Sequence, residues 1–596
     1  MADPLVSSKA PGGDVPAVAR GGAVTGVPRG TSDVSTTRRR QLLSSATCHA
    51  LAGVAGITTA LAFDPFAVPY AAVVGIALWQ TIPLRKGARH AVSVGACFGL
   101  GFLLVLTWWL AQSFGPAVWF GLAVVQSMWF ALLSASVVLL RRLPGHPFWF
   151  AVAWAGMEHL RSSWPLGGLP WGRLGVTTVD TALSPLLPAL GLTGTGFVLA
   201  LVAGIASCGG RWALAHAGAR RPPRARLAQQ VVWLGCAAVT VPLGIALVPT
   251  SSPAVAEGTR QPETIRLALV QGGVPGDGRQ LAAHHRRVTT NHVEATVDLG
   301  HRVEEGLTPA PDLVVWPENS TAVDPFEDAE ARAGIVAAVG SIDAPILVGA
   351  MVDGPTARHV LNQGVLWEQD GHTGARYTKR HPVPFGEYIP ARGLLGRLSP
   401  RLERIPRDML RGNSTSPLQI GDTLVAVAIC YDVAYDDVIP AQVREGAQIA
   451  VVQTSNASFT GTAQPQQQLT ITRARALETG RSIAVSSTNG VTAGIAPDGR
   501  VIARAPLRRT TVLTMDLPLH HTLTPAVRWG HLVPGGLLGV LVIGLGAAVV
   551  RAVRNSGGTH RPNPDPASEA VGYGVGGDER PDTSGGLALS RAKYSL

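Results

Sequence analysis

Charge is scarce in this 596-residue chain. Only 15% of the residues are charged while 46% are hydrophobic, a balance that excludes an ordinary soluble enzyme of this size. Cysteine is scarcer still. There are five, and Cys48, Cys97, Cys208 and Cys236 lie in long apolar runs, which leaves no disulfide framework; inside a span a lone cysteine is a small apolar packing residue. The net charge of +11 comes without a basic stripe interleaved with aromatics, which argues against nucleic-acid binding. No ligand cluster of zinc type and no internal repeat stand out.

Long apolar runs, by contrast, are plentiful. About 20 apolar residues cross roughly 30 Å of hydrocarbon, and such runs crowd into 43–250 and return once near the C-terminus. Eight spans are predicted, at 43–63, 67–84, 91–112, 116–140, 147–160, 188–207, 230–248 and 534–552. The fifth is short and ends in Glu158 and His159, but without it the arginines of 211–226 would fall outside, against the positive-inside rule. With the N-terminus cytoplasmic, Arg38 to Arg40, Arg85, Lys86, Arg89, Arg141, Arg142, Arg551 and Arg554 also lie inside. This places the polar region 264–517 outside the cytoplasm and both tails, 1–42 and 555–596, inside; the tails are rich in Gly, Pro and Ser and read as disordered. "TTRRRQLLSS" before the first apolar run also admits a cleaved signal. The run passes almost directly into the next span, which favours retention.

Region 264–517 alternates strands with helices. "IRLALVQ" (265–271), "PDLVVWPENS" (311–320), "PILVGAMV" (345–352), the strand up to Cys430 and "IAVVQTSN" (449–456) are apolar β-type runs, and helical patterns cover 279–300, 329–341, 438–446 and 464–479. "GVLWEQDG" (364–371) reads as a hairpin arm, and a second hairpin turns at Asp498–Gly499. The alternation predicts an α/β domain with helix-covered sheets.

Three polar residues follow apolar β-type runs: Glu318, Lys379 and Cys430. A thiol is a strong side-chain nucleophile for acyl transfer but is mostly protonated at neutral pH, so it needs a base, and the tetrahedral intermediate needs a cation or N–H donors. Glutamate, lysine and cysteine supply these parts. Each residue taken alone also has a plain reading. A cysteine at a strand end is inert packing, Glu318 caps its loop through Asn319 and Ser320, and Lys379 is a solvated charge beside Arg376, Arg380 and His381. Spacing does not choose between the two.

"PENS", "YTKRHPVPFGEYIP" and "ICYD" together resemble the Glu-Lys-Cys signature of the nitrilase (carbon–nitrogen hydrolase) superfamily. With seven spans before the domain and one after, roughly 43–552 is similar to the bacterial apolipoprotein N-acyltransferases. "LVQGGVP", "GGLPWGRLG" (167–175) and "TRARALETGR…TNGVTA" belong to the likeness. The resemblance implies a stacked αββα nitrilase-type sandwich on a polytopic membrane domain. It implies transfer of a fatty acyl chain from a membrane phospholipid to the α-amine of a diacylglyceryl-modified apolipoprotein, with no metal or organic cofactor.

The roles it implies are Cys430 as nucleophile, Glu318 as general base and Lys379 as oxyanion stabiliser. Glu387 is the second glutamate, the Tyr431 amide a second oxyanion donor, and Trp316 and Asn362 shape the pocket. "SNASFTG" (455–461) and Asp432 depart from the pattern of relatives. Trp164 and Trp171 suit the bilayer interface, and "RGLLGRLSPRL" (392–402) reads as either a lipid-dipping arm or a packed loop. The rival functions are a membrane-tethered amidase, a Cys–His hydrolase using His381, and an inactive scaffold or transporter with Glu158 on a pathway.

Overall fold

The computed structural model describes residues 32–82, 87–216, 263–275, 284–369, 371, 373–395 and 405–557. The seventh predicted span (230–248), most of both tails and the distal part of the 392–402 arm lie outside the described residues.

Among the described residues, seven α-helices form the first part: α1 (Ser32–Ala60), α2 (Ala71–Thr81), α3 (Ala88–Leu106), α4 (Trp108–Phe114), α5 (Pro116–Leu140), α6 (His146–Ser163) and α7 (Leu186–His216). Among the described residues, Ala88–Leu106, Pro116–Leu140, Leu186–Arg211 and Pro525–Asn555 are helical, long and apolar enough to cross a membrane. Leu51, Val54, Ile57, Val74, Leu78, Val125, Met128, Leu132, Val542 and Ile543 all point outward, an apolar surface suited to lipid rather than water. Inside, Trp79 stacks on Phe98 at 4.2 Å between ring centroids, and Phe98 meets Phe130 and Trp154. Close helix approach needs small residues: a Cβ on Gly101 would sit 2.2 Å from the Gly53 carbonyl oxygen.

Three expectations about the helices change. The tail predicted disordered to residue 42 is helical from Ser32, in a stretch free of glycine and proline. The third predicted span breaks at Thr107, whose hydroxyl donates to the Leu103 carbonyl at 2.7 Å, a back-bond that bends helices. The sixth breaks at Gly191, whose φ of 69° lies in the left-handed region open to glycine.

Two sheets make up the α/β part. The first has the order β13-β1-β2-β3-β4-β5 with β6 (Asp408–Met409) beside β4, and the second β12-β11-β10-β9-β8-β7. In the first, β1 (Thr264–Gln271), β2 (Leu313–Val315) and β3 (Ile346–Asp353) are parallel; β4 (His359–Trp367), β5 (Thr373–Thr378) and β13 (Thr511–Pro518) are antiparallel additions. In the second, β8 (Thr423–Ile429), β9 (Ile449–Thr454) and β10 (Ile483–Ser487) are parallel, flanked by β7 (Leu418–Ile420), β11 (Ala493–Ile495) and β12 (Val501–Arg504). Period-two alternation sorts the first sheet's side chains. Leu267, Leu269, Leu313, Val315 and Leu347 join the core shared with β8 and β9. Ala268, Val270, Val314, Trp316, Ile346 and Val348 pack outward in the cluster holding Leu299 of α8 (His285–Glu304) and Ile335 of α9 (Ala329–Gly340). Polar bonds cross between the sheets near the strand ends. Ser486 Oγ donates to the Val270 and Val315 carbonyls at 3.0 and 3.2 Å, and Gln453 Nε2 to that of Trp316 at 2.6 Å.

α8 is fastened to the end of β1 through His292, whose Nε2 accepts from Gly272 N–H at 3.1 Å while Nδ1 donates to the Val288 carbonyl at 2.7 Å. Burial drops its pKa from 6.5 to about 4. Between those values the unfolded chain takes a proton that the folded chain refuses. The stability from neutral His292 is therefore complete above pH 6.5 and lost as pH falls towards 4. The shift corresponds to about 3 kcal/mol. Thermal unfolding followed from pH 7 to 4 is expected to show a steeper acid loss for the native protein than for His292→Gln.

Candidate active site

The parallel strands of both sheets end at one edge, where an α/β fold presents side chains to a common crevice. β2 runs through Trp316 and Pro317 into Glu318. The loop lies flat on β3 because residue 349 is glycine; a Cβ there would sit 2.1 Å from the Pro317 carbonyl oxygen. Glu318, 3% exposed, has three donors on its carboxylate. Oε1 takes Lys379 Nζ at 3.0 Å and Asn362 Nδ2 at 2.8 Å, and Oε2 takes the Ser455 N–H at 3.0 Å.

Lys379 follows β5 and is fully buried. Its Nζ also donates to Glu387 Oε1 at 2.6 Å, while Glu387 Oε2 accepts from the Val383 N–H at 2.9 Å. An ammonium has three N–H donors, so one remains beyond these two carboxylates. Burial opposes the charge on Lys379, but Glu318 and Glu387 outweigh it and raise its pKa. Glu387 is pushed up by burial despite the lysine. Cys430 follows β8 directly and opens a 3₁₀ turn, Cys430–Ala434, with a φ of 54°, a costly conformation for a non-glycine residue that recurs at functional sites. Burial and the charge of Glu318 hold its thiol well above the usual range, with Lys379 pulling the other way. The resting sulfur is a thiol that needs a base to react.

Glu318, Lys379, Glu387 and Asn362 thus meet in one hydrogen-bonded group, with Cys430 within reach of its charges. Tyr431 contributes a main-chain N–H in the first turn of the 3₁₀ helix, where such groups lack intrahelical partners, and its ring packs on Trp171 at 6.0 Å. Trp316 does not shape the pocket. Alternation turns its indole to the outer layer, where Nε1 donates to Thr296 Oγ1 at 2.9 Å. Trp171 is not an interface residue of the exposed kind either; it is 2% exposed, whereas Trp164 is 65% exposed. His381 pairs through Nε2 with Asp437 at 2.9 Å and stacks on Tyr435 at 3.6 Å, and Glu158 accepts from the Leu174 N–H at 2.9 Å, which gives each a structural partner.

Asp432 matters more than its sequence position suggests. Buried beneath the 3₁₀ turn, it accepts from Tyr377 Oη at 2.8 Å and from the N–H groups of Arg380 and His381 at 3.2 and 2.8 Å. The residue two places after Cys430 therefore grips the strand end that carries Lys379 and sets the spacing between them.

The N-terminal domain model of the apolipoprotein N-acyltransferases matches residues 55–205, and the carbon-nitrogen hydrolase model matches 266–523. An apolipoprotein N-acyltransferase from Mycolicibacterium smegmatis is 32% identical over 514 residues, covering 84% of each chain. The chain belongs to the apolipoprotein N-acyltransferase family. The enzyme of that name from Methylococcus capsulatus is 29% identical over 85% of this chain and 96% of its own. Among solved structures, an amidase from Nesterenkonia sp. aligns at 19% identity over 44% of this chain and 94% of its own, with a TM-score of 0.30.

In this member of the apolipoprotein N-acyltransferase family the two matched parts are docked by buried polar groups, chiefly on helix Gln464–Thr479. Gln467 Oε1 accepts from the indoles of Trp109 and Trp171 at 3.0 and 2.6 Å, and its Nε2 donates to the Asp64 and Leu106 carbonyls at 2.7 and 3.1 Å. Asp436 pairs with Arg173 and Arg475 at 2.5 and 2.8 Å, and Arg475 also pairs with Glu478. Glu478 Oε1 in turn accepts the Leu192 N–H at 3.0 Å, where α7 restarts after its break. The sequence signal for this layer is the "QPQQQ" run at the start of the helix, too much amide for a helix facing only a core.

Proposed function

We propose that the protein moves a fatty acyl chain from a membrane phospholipid, through a thioester on Cys430, to the α-amine of the N-terminal diacylglyceryl-cysteine of apolipoproteins. The observation that carries this reading is the shared hydrogen-bonded group of Glu318, Lys379 and Glu387 beside Cys430, in a chain of the apolipoprotein N-acyltransferase family. Glu318 takes the thiol proton, and sulfur attacks the ester carbonyl. The third N–H of Lys379 and the Tyr431 amide hold the oxyanion. Its collapse breaks the ester C–O bond, and Glu318 returns the proton to the departing lysophospholipid. After that product leaves, the amine attacks the thioester and loses a proton to Glu318, the C–S bond breaks, and Glu318 returns the proton to sulfur, restoring the thiol. Asn362 orients Glu318, and Glu387 orients Lys379.

The arginine distribution supports seven spans over 43–250, an extracytoplasmic catalytic domain at 264–517, an eighth span at 534–552 and cytoplasmic termini. The outward apolar side chains support anchorage in the cell membrane. There the active site meets both lipid substrates at the bilayer surface.

Purified protein incubated with labelled phospholipid and a diacylated lipopeptide is expected to yield lysophospholipid and N-acylated peptide in equal amounts. Release of free fatty acid without acylated peptide would favour a hydrolase and refute the transfer.

A further inference from the structure

Cys430 has a polar neighbour that glutamate, lysine and cysteine chemistry leaves unused. β8 and β9 run parallel with Ile429 opposite Gln453, so the next residues, Cys430 and Thr454, leave the sheet edge side by side. That places the Thr454 hydroxyl beside the Cys430 sulfur, where it favours the thiolate. Gln468 straps the pair together, its Nε2 donating to Thr454 Oγ1 at 3.2 Å and to the Cys430 carbonyl at 3.3 Å. Thr454 donates its own proton to Asn456 Oδ1 at 2.9 Å. Asn456 is held by Nδ2 bonds to Gln464 and Gln468, both 2.8 Å. Thr454, Asn456, Gln464 and Gln468 are all buried, so water does not compete for these positions.

A hydroxyl has one proton and two lone pairs. At rest the Thr454 proton goes to Asn456 and one lone pair to Gln468, which leaves the other for the S–H of Cys430. A thiolate reverses the demand, since it only accepts. The Thr454 O–H then has to rotate from Asn456 to sulfur, and Asn456 Oδ1 keeps the Ser487 hydroxyl at 3.4 Å. Other groups around the sulfur supply little net help. Glu318 and Glu387 oppose a second negative charge, and Lys379, which favours it, is shared with both carboxylates.

We propose that Thr454 is a catalytic residue whose hydroxyl accepts from the resting thiol and turns to donate to sulfur whenever sulfur becomes anionic. This rests on Cys430 being the nucleophile. The hydroxyl acts twice in each cycle. It acts first when Glu318 removes the thiol proton. It acts again when the amide C–N bond has formed and the thioester C–S bond breaks, sending the electron pair to sulfur while Glu318 holds the amine proton and then returns it.

The test is alkylation of the full-length protein by iodoacetamide across a pH series, with the Cys430 peptide counted by mass spectrometry so that the other four cysteines do not enter. Thr454→Val keeps the side-chain shape and loses the hydroxyl. It is expected to slow alkylation about 10- to 100-fold at fixed pH and to move the profile upward by about one to two pH units, the scale of a lost charge-assisted hydrogen bond. Single-turnover discharge of the acyl group to amine is expected to slow alongside. Thr454→Ser, which restores the hydroxyl, is expected to recover most of both losses. A Thr454→Val profile that matches the native one overturns the proposal, as does a serine variant no better than valine. If Thr454→Val does not fold, Gln468→Leu is expected to shift the profile the same way by less, and an unchanged profile there is equally fatal. Acyl transfer by Cys430→Ala would instead refute the nucleophile assignment, a failure separate from that of Thr454.

Discussion

Lys379→Met is expected to lower kcat by about 10³-fold and to destabilise the protein by about 3–5 kcal/mol. The two losses have separate causes. Removing one preorganised oxyanion donor costs about 10²–10³ in kcat, and the ammonium here also sets the positions of Glu318 and Glu387 through bonds of 3.0 and 2.6 Å. The stability loss follows from burial. With Lys379 fully enclosed, methionine leaves the buried Glu318 carboxylate facing the half-buried Glu387 with no cation, the situation in which breaking a buried pair is most damaging. Lys379→Arg is not a rescue, because a planar guanidinium does not fit a space built for a compact point charge. Steady-state transfer and thermal unfolding, measured on the same detergent-purified samples, check both halves. A mild kinetic effect would place the oxyanion elsewhere.

Cys430→Ser is expected to abolish transfer, by about 10⁴-fold or more, while leaving unfolding almost unchanged. Serine preserves the shape of the side chain and its place beside Thr454, so the fold has no reason to shift. What changes is the chemistry, since an alkoxide is far harder to form than a thiolate and single nucleophile losses of this size are familiar. Among the described residues, no other cysteine can substitute. Cys48, Cys97 and Cys208 sit in α1, α3 and α7, away from the strand edge that carries Glu318 and Lys379. Activity retained in this variant would remove the thioester from the account.

Much of this arrangement was legible in the sequence because local pattern and chemistry coincide. β1, β2, β3, β8 and β9 are apolar runs with β-branched residues, and Glu318 and Cys430 stand just beyond such runs, where parallel strands open to a crevice. Residues such as β13 escaped because "TVLTMDLP" alternates weakly and gains its identity from pairing along its whole length with β1, at the other end of the domain. Trp316 was misplaced for a related reason. Its nearness to Glu318 in the chain suggested the pocket, but a one-residue step along a strand changes faces. The breaks at Thr107 and Gly191 depend on a hydroxyl back-bond and on a carboxylate from another part of the chain, Glu478 at Leu192. Asp432, Thr454 and Gln467 gain their meaning only from tertiary partners, which no local spacing announces.

The central claim is that sulfur of Cys430 carries the acyl group between the two lipids. Mass spectrometry of the protein after exposure to phospholipid without acceptor tests it most directly. The account predicts a fatty acyl adduct on the Cys430 peptide that disappears when a diacylglyceryl-cysteine peptide is added, with the chain recovered on that peptide's α-amine. Steady transfer with no adduct on Cys430 under single-turnover conditions would contradict it.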